Sequence, residues 1–344
     1  MVQGDPAVPD TRRSRQCASA VLMVRPAAFG PNPQTAASNR FQCAPDEPRQ
    51  SILTRALEEF DRLERALGAA GVETIVCTDR AEPRCPDAVF PNNWVTLHAD
   101  GTVVLYPMLA PNRRLERRTD LLADLARHGF GARRLADLTH HELAGRFLEG
   151  TGSVVFDHVN RLAFACLSPR THPAVLAELA GELGYEPVAF AACDCSGVPV
   201  YHTNVLLSIG RRGVIVCDEA IAAVDRNRVL GRLAAAGRTL VTVDQRGMAD
   251  FTCNALELEA RDGSAVLAMS ERAFAALAAP AREVLTSGVD RIVTAAIPTI
   301  EACGGGSVRC MLAEVFLPRQ PPAPESSKAA PARAGAPRGR GSRC

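Results

Sequence analysis

The sequence predicts an α/β fold in which five similar ββαβ units surround a pseudo-fivefold axis, as a propeller closed by strands from the two ends of the chain. Two observations predict it. Four segments read as two apolar strands joined by a short polar turn, and most are followed by an amphipathic helix and another strand. Like positions also recur about every fifty residues, at Asn93, Gly152, Asn204 and Asn254. An open α/β sheet with coincidental internal similarity is the alternative.

The four strand pairs span residues 90–108, 148–168, 201–219 and 251–270. A fifth unit is divided between the ends of the chain. Residues 306–317 supply one of its strands, and residues 20–25 supply the neighbouring strand. Pairing of these two strands would remove the open edges that an incomplete set of repeats leaves.

Apolar residues spaced three and four apart predict helices at residues 52–67, 113–128, 173–183, 226–236 and 271–287. Several helix boundaries carry their own signals. Pro173 suits the first turn of a helix, and Ser270 suits an N-cap. Gly237 ends a helix just before the apolar strand at 238–244.

The pattern is confined to residues 18–318, which we interpret as one folded domain. Residues 1–17 and 319–344 are rich in Pro, Ala, Arg and Gly and lack periodicity, which predicts disordered tails. The 344-residue chain is 47% hydrophobic and 22% charged, as in globular proteins with a large core. Its net charge of +1 argues against nucleic acid or an anionic membrane as a partner.

Targeting signals also bear on location. No apolar run reaches the ~20 residues of a spanning helix, and the N-terminus has no signal core, so we expect a cytoplasmic protein. Twelve cysteines are scattered without paired spacing, which favours reduced thiols over disulfides. Cys193 and Cys195 are the only close pair. Because no second pair follows at zinc spacing, no metal site is predicted.

A cysteine follows the glycine run Gly304-Gly305-Gly306, at Cys310. Three glycines let the backbone approach a ligand closely. A thiolate is a strong nucleophile once a cation or a histidine lowers its pKa. Taken alone, Cys310 would more simply be a small buried residue, but the glycine run favours the nucleophile.

His202 and Glu149 open the strand pairs of two other units. As a general acid/base, His202 would protonate a leaving amine and then activate water, while Glu149 would orient it or bind a substrate nitrogen. A capping or surface histidine and a solvated loop acid are the alternatives. The two residues and Cys310 hold equivalent places in different units, however, and equivalent places converge on the axis of a pseudosymmetric ring.

The chain resembles the pentein, or guanidine-modifying, superfamily, which includes arginine deiminases, dimethylarginine dimethylaminohydrolases and amidinotransferases. The resemblance covers residues 18–318. It is carried by Val24-Arg25-Pro26, Phe90-Pro91-Asn92-Asn93-Trp94, Leu148-Glu149-Gly150, His202-Thr203-Asn204 and residues 304–310. Within the superfamily the chain is most similar to the citrulline-degrading hydrolases, on the Asn-Asn-Trp and His-Thr-Asn segments and on Pro298-Thr299-Ile300-Glu301.

The resemblance implies a pentein fold with Cys310 as nucleophile, His202 as acid/base and Glu149 as its acid partner. It also implies a covalent thiouronium or thiocarbamate intermediate on Cys310 that water later hydrolyses. Neither a metal nor an organic cofactor is implied.

Two asparagines mark a departure from the arginine deiminases, which carry aspartates at the positions of Asn93 and Asn204. Those aspartates accept hydrogen bonds from a cationic guanidinium, whereas an amide also donates. A ureido carbonyl needs a donor, so the two amides favour neutral citrulline, and a buried cation without its anions would be costly. Asn92 could fill the role given to Asn93. Capping of hairpin turns, as expected for Asn254, is the alternative.

An amino-acid substrate also needs a cation for its carboxylate. Arg25, at the end of the first strand, is the first candidate. Arg40 is the second, in a loop at residues 30–49 that is long enough to act as a lid. Arg309, beside Cys310, would either lower the pKa of the thiol or point away on the opposite face.

These residues predict a cysteine-dependent hydrolase of a linear C–N bond that converts citrulline to ornithine, carbon dioxide and ammonia. Its expected partner is a small ureido or guanidino amino acid, and a homodimer is compatible with the sequence. An arginine deiminase or dimethylarginine dimethylaminohydrolase is the first rival, and the two asparagines argue against it. The second is a non-catalytic pentein that binds a macromolecule, as ribosome anti-association factors resembling this fold do. That rival leaves Cys310, His202 and Glu149 unexplained.

Overall fold

The computed structural model describes residues 15–320. Within this range the strands are β1 (Ala20–Arg25), β2 (Glu73–Thr78), β3 (Val95–Leu97), β4 (Thr102–Leu105), β5 (Arg134–Asp137), β6 (Val155–Asp157), β7 (Leu162–Cys166), β8 (Glu186–Phe190), β9 (Leu207–Ile209), β10 (Gly213–Val216), β11 (Thr239–Thr242), β12 (Leu256–Glu259), β13 (Ala265–Ser270), β14 (Arg291–Ala295) and β15 (Ala313–Glu314). They form five sheets of three strands each.

The α-helices of the same range are α1 (Arg49–Ala69), α2 (Leu121–Arg127), α3 (Gly150–Ser153), α4 (Pro173–Leu183), α5 (Ala223–Ala234), α6 (Gln245–Ala249), α7 (Glu271–Ala276), α8 (Ala279–Gly288) and α9 (Pro298–Gly304). Short 3₁₀ helices cover Pro91–Asn93, Pro111–Glu116, Thr139–Ala144, Thr203–Val205, Asp218–Ala220 and Val308–Met311.

All five sheets share one topology. The central strand pairs antiparallel with one neighbour and parallel with the other, as β4 does with β3 and β5. The same holds for the sheets centred on β7, β10 and β13. In the remaining sheet β1 pairs antiparallel with β15 and parallel with β2. The predicted repeat of ββαβ units and the pairing of the strands near the two chain ends are thus confirmed.

Local sequence explains several helix boundaries. Of the apolar residues whose spacing predicts α1, Phe60, Leu63 and Leu67 are buried, whereas Leu53 and Leu57 are partly buried. Ile52 also faces the core. The predicted N-cap of α7 is confirmed, because the side chain of Ser270 accepts a hydrogen bond from the backbone N–H of Ala273. Pro173 begins α4 as expected.

Two predicted helices were wrong in part. The segment 113–128 begins as the 3₁₀ helix Pro111–Glu116, and α2 follows only at Leu121. The side chains of Arg113 and Glu116 explain this, since they turn into the protein as a buried pair rather than lying on a solvated helix face. The segment 271–287 divides into α7 and α8 because Pro280, at the start of α8, cannot sit inside a continuous helix.

The predicted strand at 306–317 is also shorter than expected. It contains the 3₁₀ helix Val308–Met311 and then the two-residue strand β15. The backbone N–H of Cys310 donates to the carbonyl of Ser307, a turn that the preceding glycines permit. Cys310 therefore lies in a tight turn before a strand rather than within the strand.

The apolar core lies between neighbouring units. One cluster joins Phe164 and Phe190 of the third sheet to Leu207 and Val214 of the fourth. Three further clusters bridge other sheets in the same manner. Each sheet thus buries a face against the next unit, which is why a single unit would not be stable alone.

Most of the two predicted tails lies outside the described residues. The described parts contact the domain: Gln16 is buried and donates to the carbonyls of Phe156 and Ile209, and Arg319 forms an ion pair with Glu73. Among residues 15–320, no helix is both long enough and apolar enough to cross a membrane.

Candidate active site

One strand of each sheet is here called its inner strand; the inner strands are β3, β6, β9, β12 and β15. The segments just before these strands converge around one cavity. Asn93 precedes β3, Glu149 precedes α3 and β6, His202 precedes β9, Asn254 precedes β12 and Cys310 precedes β15. The cavity has about 290 Å³ of empty space, part of it open to solvent, and is lined by Thr35, Asn39, Asp87, Phe90, Asn93, Arg113, Arg170, Tyr201, His202, Gly304, Gly305, Gly306 and Cys310. All five units therefore supply side chains to one site, each from the segment that precedes its inner strand.

The Cys310 sulfur faces two side-chain amides. Nδ2 of Asn254 lies 3.3 Å from Sγ, and Nδ2 of Asn204 lies 3.5 Å from it. Asn254 also donates to the backbone carbonyl of Asn204, at 3.2 Å, which ties the two amides together. Arg309 instead donates to the carbonyl of Ala255. The nucleophile candidate thus meets neutral donors, and Asn254 does more than cap a turn.

His202 and Glu149 form a buried pair, with Nε2 of the histidine 2.9 Å from Oε2 of the glutamate. Burial lowers the pKa of His202 to about 4, although the hydrogen bond to Glu149 opposes this. The histidine is therefore neutral near pH 7. Because a carboxylate only accepts, Nε2 carries the hydrogen and Nδ1 keeps a free lone pair.

Glu149 stays ionised although it is fully buried. Burial opposes its charge, but Arg170, the His202 hydrogen bond and Arg113 outweigh burial and hold the pKa of Glu149 well below its usual range. Nη1 of Arg170 lies 3.2 Å from Oε2, and the backbone N–H of Leu109 donates to Oε1 at 3.1 Å. The acid partner of the histidine is thus a fixed anion.

Two arginines that the sequence interpretation missed complete the site. Arg170 is anchored by the Ser38 hydroxyl, at 2.7 Å, as well as by Glu149. Arg113 pairs with Glu116, at 2.9 Å, and donates from Nη1 to Oδ1 of Asn93, at 3.0 Å. No periodicity or motif distinguishes these two arginines from the others. The Arg113–Glu116 spacing of three residues is the one available signal.

Glycines allow the close approach of these groups. A Cβ on Gly152 would lie 2.5 Å from Nδ2 of Asn93 and 2.7 Å from Nδ1 of His202. Gly150 has φ +46°, and a Cβ there would lie 2.1 Å from the carbonyl oxygen of Asn92. The glycine at the like position of this repeat therefore leaves room for the histidine and the amide of its neighbours.

The predicted amides differ in their placement. Asn93 lines the cavity; Arg113 is a pure donor, so Oδ1 of Asn93 must face it. Nδ2 of Asn93 and Oδ1 of Asn204 then have no hydrogen-bond partner among the described residues. Asn92 is fully buried, and neither of its side-chain polar atoms has a partner within residues 15–320, but it does not line the cavity.

The two predicted carboxylate anchors lie outside the cavity lining. Arg25 forms a two-point ion pair with Asp61 of α1, at 2.8 and 2.9 Å. Arg40 is half-exposed and lies 3.4 Å from Asp194. Arg25 is held by a carboxylate on the helix that packs on its own sheet, so the structure does not bring it to Cys310.

The loop at 30–49 does reach the site, through other residues than Arg40. Thr35 and Asn39 line the cavity, and Nδ2 of Asn39 donates to the carbonyl of Gly304, at 3.1 Å. Asp87 lines the cavity too, and its Oδ1 has no partner in the described part of the chain. Among residues 15–320, the carboxylates around the cavity and the thiol of Cys310 do not form a group of three ligand atoms close enough to bind one metal ion.

Comparison with known proteins gives the family. The family model described as "N,N dimethylarginine dimethylhydrolase, eukaryotic" matches residues 25–317. No curated protein sequence matches the chain.

Solved structures share the fold at low sequence identity. The N-terminal domain of ArgZ, an arginine dihydrolase of cyanobacteria, is 19% identical with a TM-score of 0.65, over 87% of this chain and 99% of that domain. Unliganded AgrE is 18% identical with a TM-score of 0.68, over 88% of this chain and 40% of the longer AgrE. SxtG, an amidinotransferase from Microseira wollei, is 14% identical with a TM-score of 0.63, over 90% of this chain and 97% of SxtG.

These structures share the mixed α/β fold of this chain, and the family match, which begins at the last residue of β1, includes strands of all five sheets. The protein belongs to the N,N-dimethylarginine dimethylhydrolase family of the pentein superfamily of guanidine-modifying enzymes.

Proposed function

We propose that this protein hydrolyses a C–N bond of citrulline, giving ornithine, carbon dioxide and ammonia through a covalent intermediate on Cys310. One observation carries the choice of substrate. Arg113 holds Oδ1 of Asn93, which leaves Nδ2 as a free donor, while Asn204 keeps Oδ1 as a free acceptor. A ureido group offers one carbonyl acceptor and several N–H donors, and so complements both amides.

In the proposed first step, the Cys310 thiolate attacks the ureido carbon, and the carbonyl oxygen gains negative charge. Nδ2 of Asn93 would donate to that oxygen, and a donor aimed at developing charge lowers the barrier. The thiol proton passes to Nδ1 of His202, which gives it to the departing nitrogen. Loss of either nitrogen leaves a thiocarbamate on sulfur.

In the proposed second step, neutral His202 takes a proton from water, which attacks the thiocarbamate carbon and releases the thiolate. The carbamate or N-carboxylated product that leaves then decomposes to carbon dioxide and amine. Glu149 stabilises His202 while it carries the extra proton, as a buried anion 2.9 Å away does most effectively. No step here requires a group beyond substrate, water and these side chains.

The two ends of the amino-acid backbone of citrulline would meet opposite charges. Arg170 and Arg113 line the cavity and take over the role first given to Arg25 and Arg40, binding the carboxylate. Asp87, with a free carboxylate oxygen among the described residues, would accept from the α-ammonium. A zwitterionic amino acid therefore suits the cavity better than an amide or an ester.

A guanidinium substrate, such as arginine or dimethylarginine, is the second candidate. The family match favours it, and the free Asp87 oxygen could accept from a guanidinium. A guanidinium carries only donors, however, and would face Nδ2 of Asn93 donor to donor.

Product analysis tests the proposal directly. Purified protein is incubated with citrulline, arginine and dimethylarginine in parallel, and ornithine, citrulline and ammonia are measured. Ornithine from citrulline supports the ureidase, whereas citrulline from arginine or dimethylarginine would replace it by the second candidate. Asn93→Asp sharpens the choice: it should lower turnover of citrulline relative to arginine, because the free donor becomes an acceptor.

We further propose that the five units close into a ring. Its support is that inner strands of successive units are neighbours, β15 beside β3, β6 beside β9 and β9 beside β12. A ring would also explain why equivalent positions meet at Cys310.

A further inference from the structure

Outside the lining of the Cys310 cavity, two histidines and a glutamate bring three metal-type ligands together. His140 and His141 lie in the 3₁₀ helix Thr139–Ala144, and Glu178 lies in α4. Their ligand atoms all lie within 4.8 Å of one another, and within residues 15–320 no other group of three does so. From the sequence, His140 and His141 look like loop or helix-end residues, and nothing local links them to Glu178, which is distant in the chain.

The two imidazoles meet different oxygens of one carboxylate. Nε2 of His141 lies 2.8 Å from Oε2 of Glu178, and Nε2 of His140 lies 3.6 Å from Oε1. With Zn–N and Zn–O distances of about 2.0–2.2 Å, ligand atoms of a tetrahedral site are about 3.3 Å apart. The two observed separations fall on either side of that value, so a single ion could contact all three groups after small side-chain shifts.

A hydrogen bond on the far side of the His140 ring decides which nitrogen faces the carboxylate. Nδ1 of His140 lies 3.2 Å from the carbonyl oxygen of Asp137. That oxygen only accepts, so Nδ1 carries the hydrogen and a neutral ring turns the lone pair of Nε2 towards Glu178. An imidazole bonded to a backbone carbonyl through one nitrogen is also the usual form of a metal-bound histidine.

Exposure and ligand type indicate which ion fits. The side chains of His140 and Glu178 are 58% and 44% exposed, so an ion can enter from solvent and keep a water as a fourth ligand. Two imidazoles and one carboxylate suit zinc and its neighbours, whereas calcium and magnesium prefer oxygen alone. We propose that His140, His141 and Glu178 bind a divalent transition-metal ion of the zinc class. The ion would join the segment before Glu149 to helix α4.

Cobalt(II) binding to the purified full-length chain tests this site. Four-coordinate cobalt gives visible d–d bands, and thiolate ligands add a near-ultraviolet charge-transfer band. Sites built on Cys310 or on Cys193 and Cys195 are therefore distinguishable from a site of imidazole and carboxylate. We expect visible bands without the thiolate band, and their loss when zinc is added.

Matched variants locate the ion. His140→Ala, His141→Ala and Glu178→Gln should each weaken cobalt binding by more than the about 10–100-fold that loss of an outer-shell partner costs. His128→Ala removes another exposed histidine and should change nothing. If buried His141→Ala fails to fold, the exposed His140→Ala and Glu178→Gln still decide the matter.

Thermal unfolding gives an independent readout. Zinc should raise the Tm of the wild type and of His128→Ala but not of the three ligand variants, because an ion that binds the folded chain stabilises it. Absence of the visible bands, a spectrum dominated by the thiolate band, or binding that survives all three substitutions would overturn the proposal.

Discussion

The two ends of the inner strands hold buried histidines in different surroundings. At the leading end, before β9, His202 meets the Glu149 carboxylate and nearby Arg170. At the trailing end, just after β3 and β6, His98 bonds to the hydroxyl of Thr96, at 2.7 Å, and His158 bonds to that of Tyr185, also at 2.7 Å. Histidines of similar burial thus have a charged partner at the leading end of the inner strands and neutral hydrogen-bond partners at the trailing end.

This difference in partners distinguishes a histidine suited to proton transfer from histidines that only pack in the core. Burial lowers the pKa of His98 to about 4 and that of His158 to about 3, so both are neutral near pH 7. His158 packs among Phe156 and Phe316, and its hydrogen-bond partner Tyr185 is uncharged. His202 has an ionised carboxylate that stabilises its protonated form. Proton transfer is therefore expected only at the leading end, where the histidine is hydrogen-bonded to a carboxylate.

The largest predicted effect is loss of the nucleophile. Cys310→Ala should abolish turnover, with a fall in kcat of about 10⁴-fold or more, as when a covalent nucleophile is removed elsewhere. The measurement is ornithine release from citrulline under saturating conditions. His158→Gln, at the trailing end, serves as the control and should keep most of the activity. An active Cys310→Ala variant would remove the covalent mechanism.

Removing the charge beside His202 should be the next largest effect. Glu149→Gln keeps the size of the side chain, but it turns one of the two accepting oxygens into a donor, and its neutral amide cannot stabilise a protonated imidazole. We expect kcat to fall about 10²–10⁴-fold, the range that general acid/base catalysis supplies. Glu314→Gln is the matched control, since Glu314 is a half-buried carboxyl at the trailing end whose pKa is raised to about 7 by removal from water. Equal losses in both variants would show that Glu149 acts only through stability.

Acid should destabilise the fold through the buried histidines. In the unfolded chain a histidine takes up a proton below about pH 6.5, whereas folded His98 and His202 do so only near 4 and His158 near 3. The free energy of unfolding should therefore fall as the pH drops below 6.5, by about 3 kcal/mol for each fully buried histidine. Urea unfolding between pH 7 and 4 measures this. A His158→Gln variant with an unchanged pH slope would contradict it.

The smallest predicted effect concerns the second amide at the sulfur. Asn254→Ala removes a donor 3.3 Å from Cys310 and should lower the rate of Cys310 alkylation about tenfold near neutral pH, as one hydrogen bond to a charged group is worth. Asn160→Ala is the control, because Asn160 is exposed in the turn after β6 and its amide donates to Asp157 at the end of that strand. An alkylation rate unchanged in Asn254→Ala would assign Asn254 a packing role.

Sequence reasoning reached the repeat and the residues that share its period. Asn93, Glu149, His202 and Cys310 could be found because each lies shortly before an apolar strand of its unit. The structure brings Asn93, His202 and Cys310 to one cavity, and Glu149 is hydrogen-bonded to His202. Substrate and roles remain proposals, since shared fold at low identity does not determine them.

What sequence reasoning missed has a physical cause. Arg113 lies in a short 3₁₀ helix and Arg170 in a turn, where no periodicity tells a buried cation from a solvated one, and their contacts with Asn93 and Glu149 join separate segments of the chain. Arg25 looked suitable because it ends a strand, yet Asp61 on the next helix engages it. Tertiary packing decides which charged residues pair across long stretches of the chain, and the local sequence does not reveal these pairs.

The pairing of Val21 with Glu314 across almost the whole described chain has a consequence for biosynthesis. During translation β1 emerges early but must wait for β15, the last strand in the described range, to complete its sheet. Cys310 is made just before that strand, so the nascent chain carries four repeats before it gains the proposed nucleophile. Contacts of such sequence separation slow folding. A ribosome stalled before residue 310 would therefore hold a chain that lacks both the last strand of its first sheet and the proposed nucleophile.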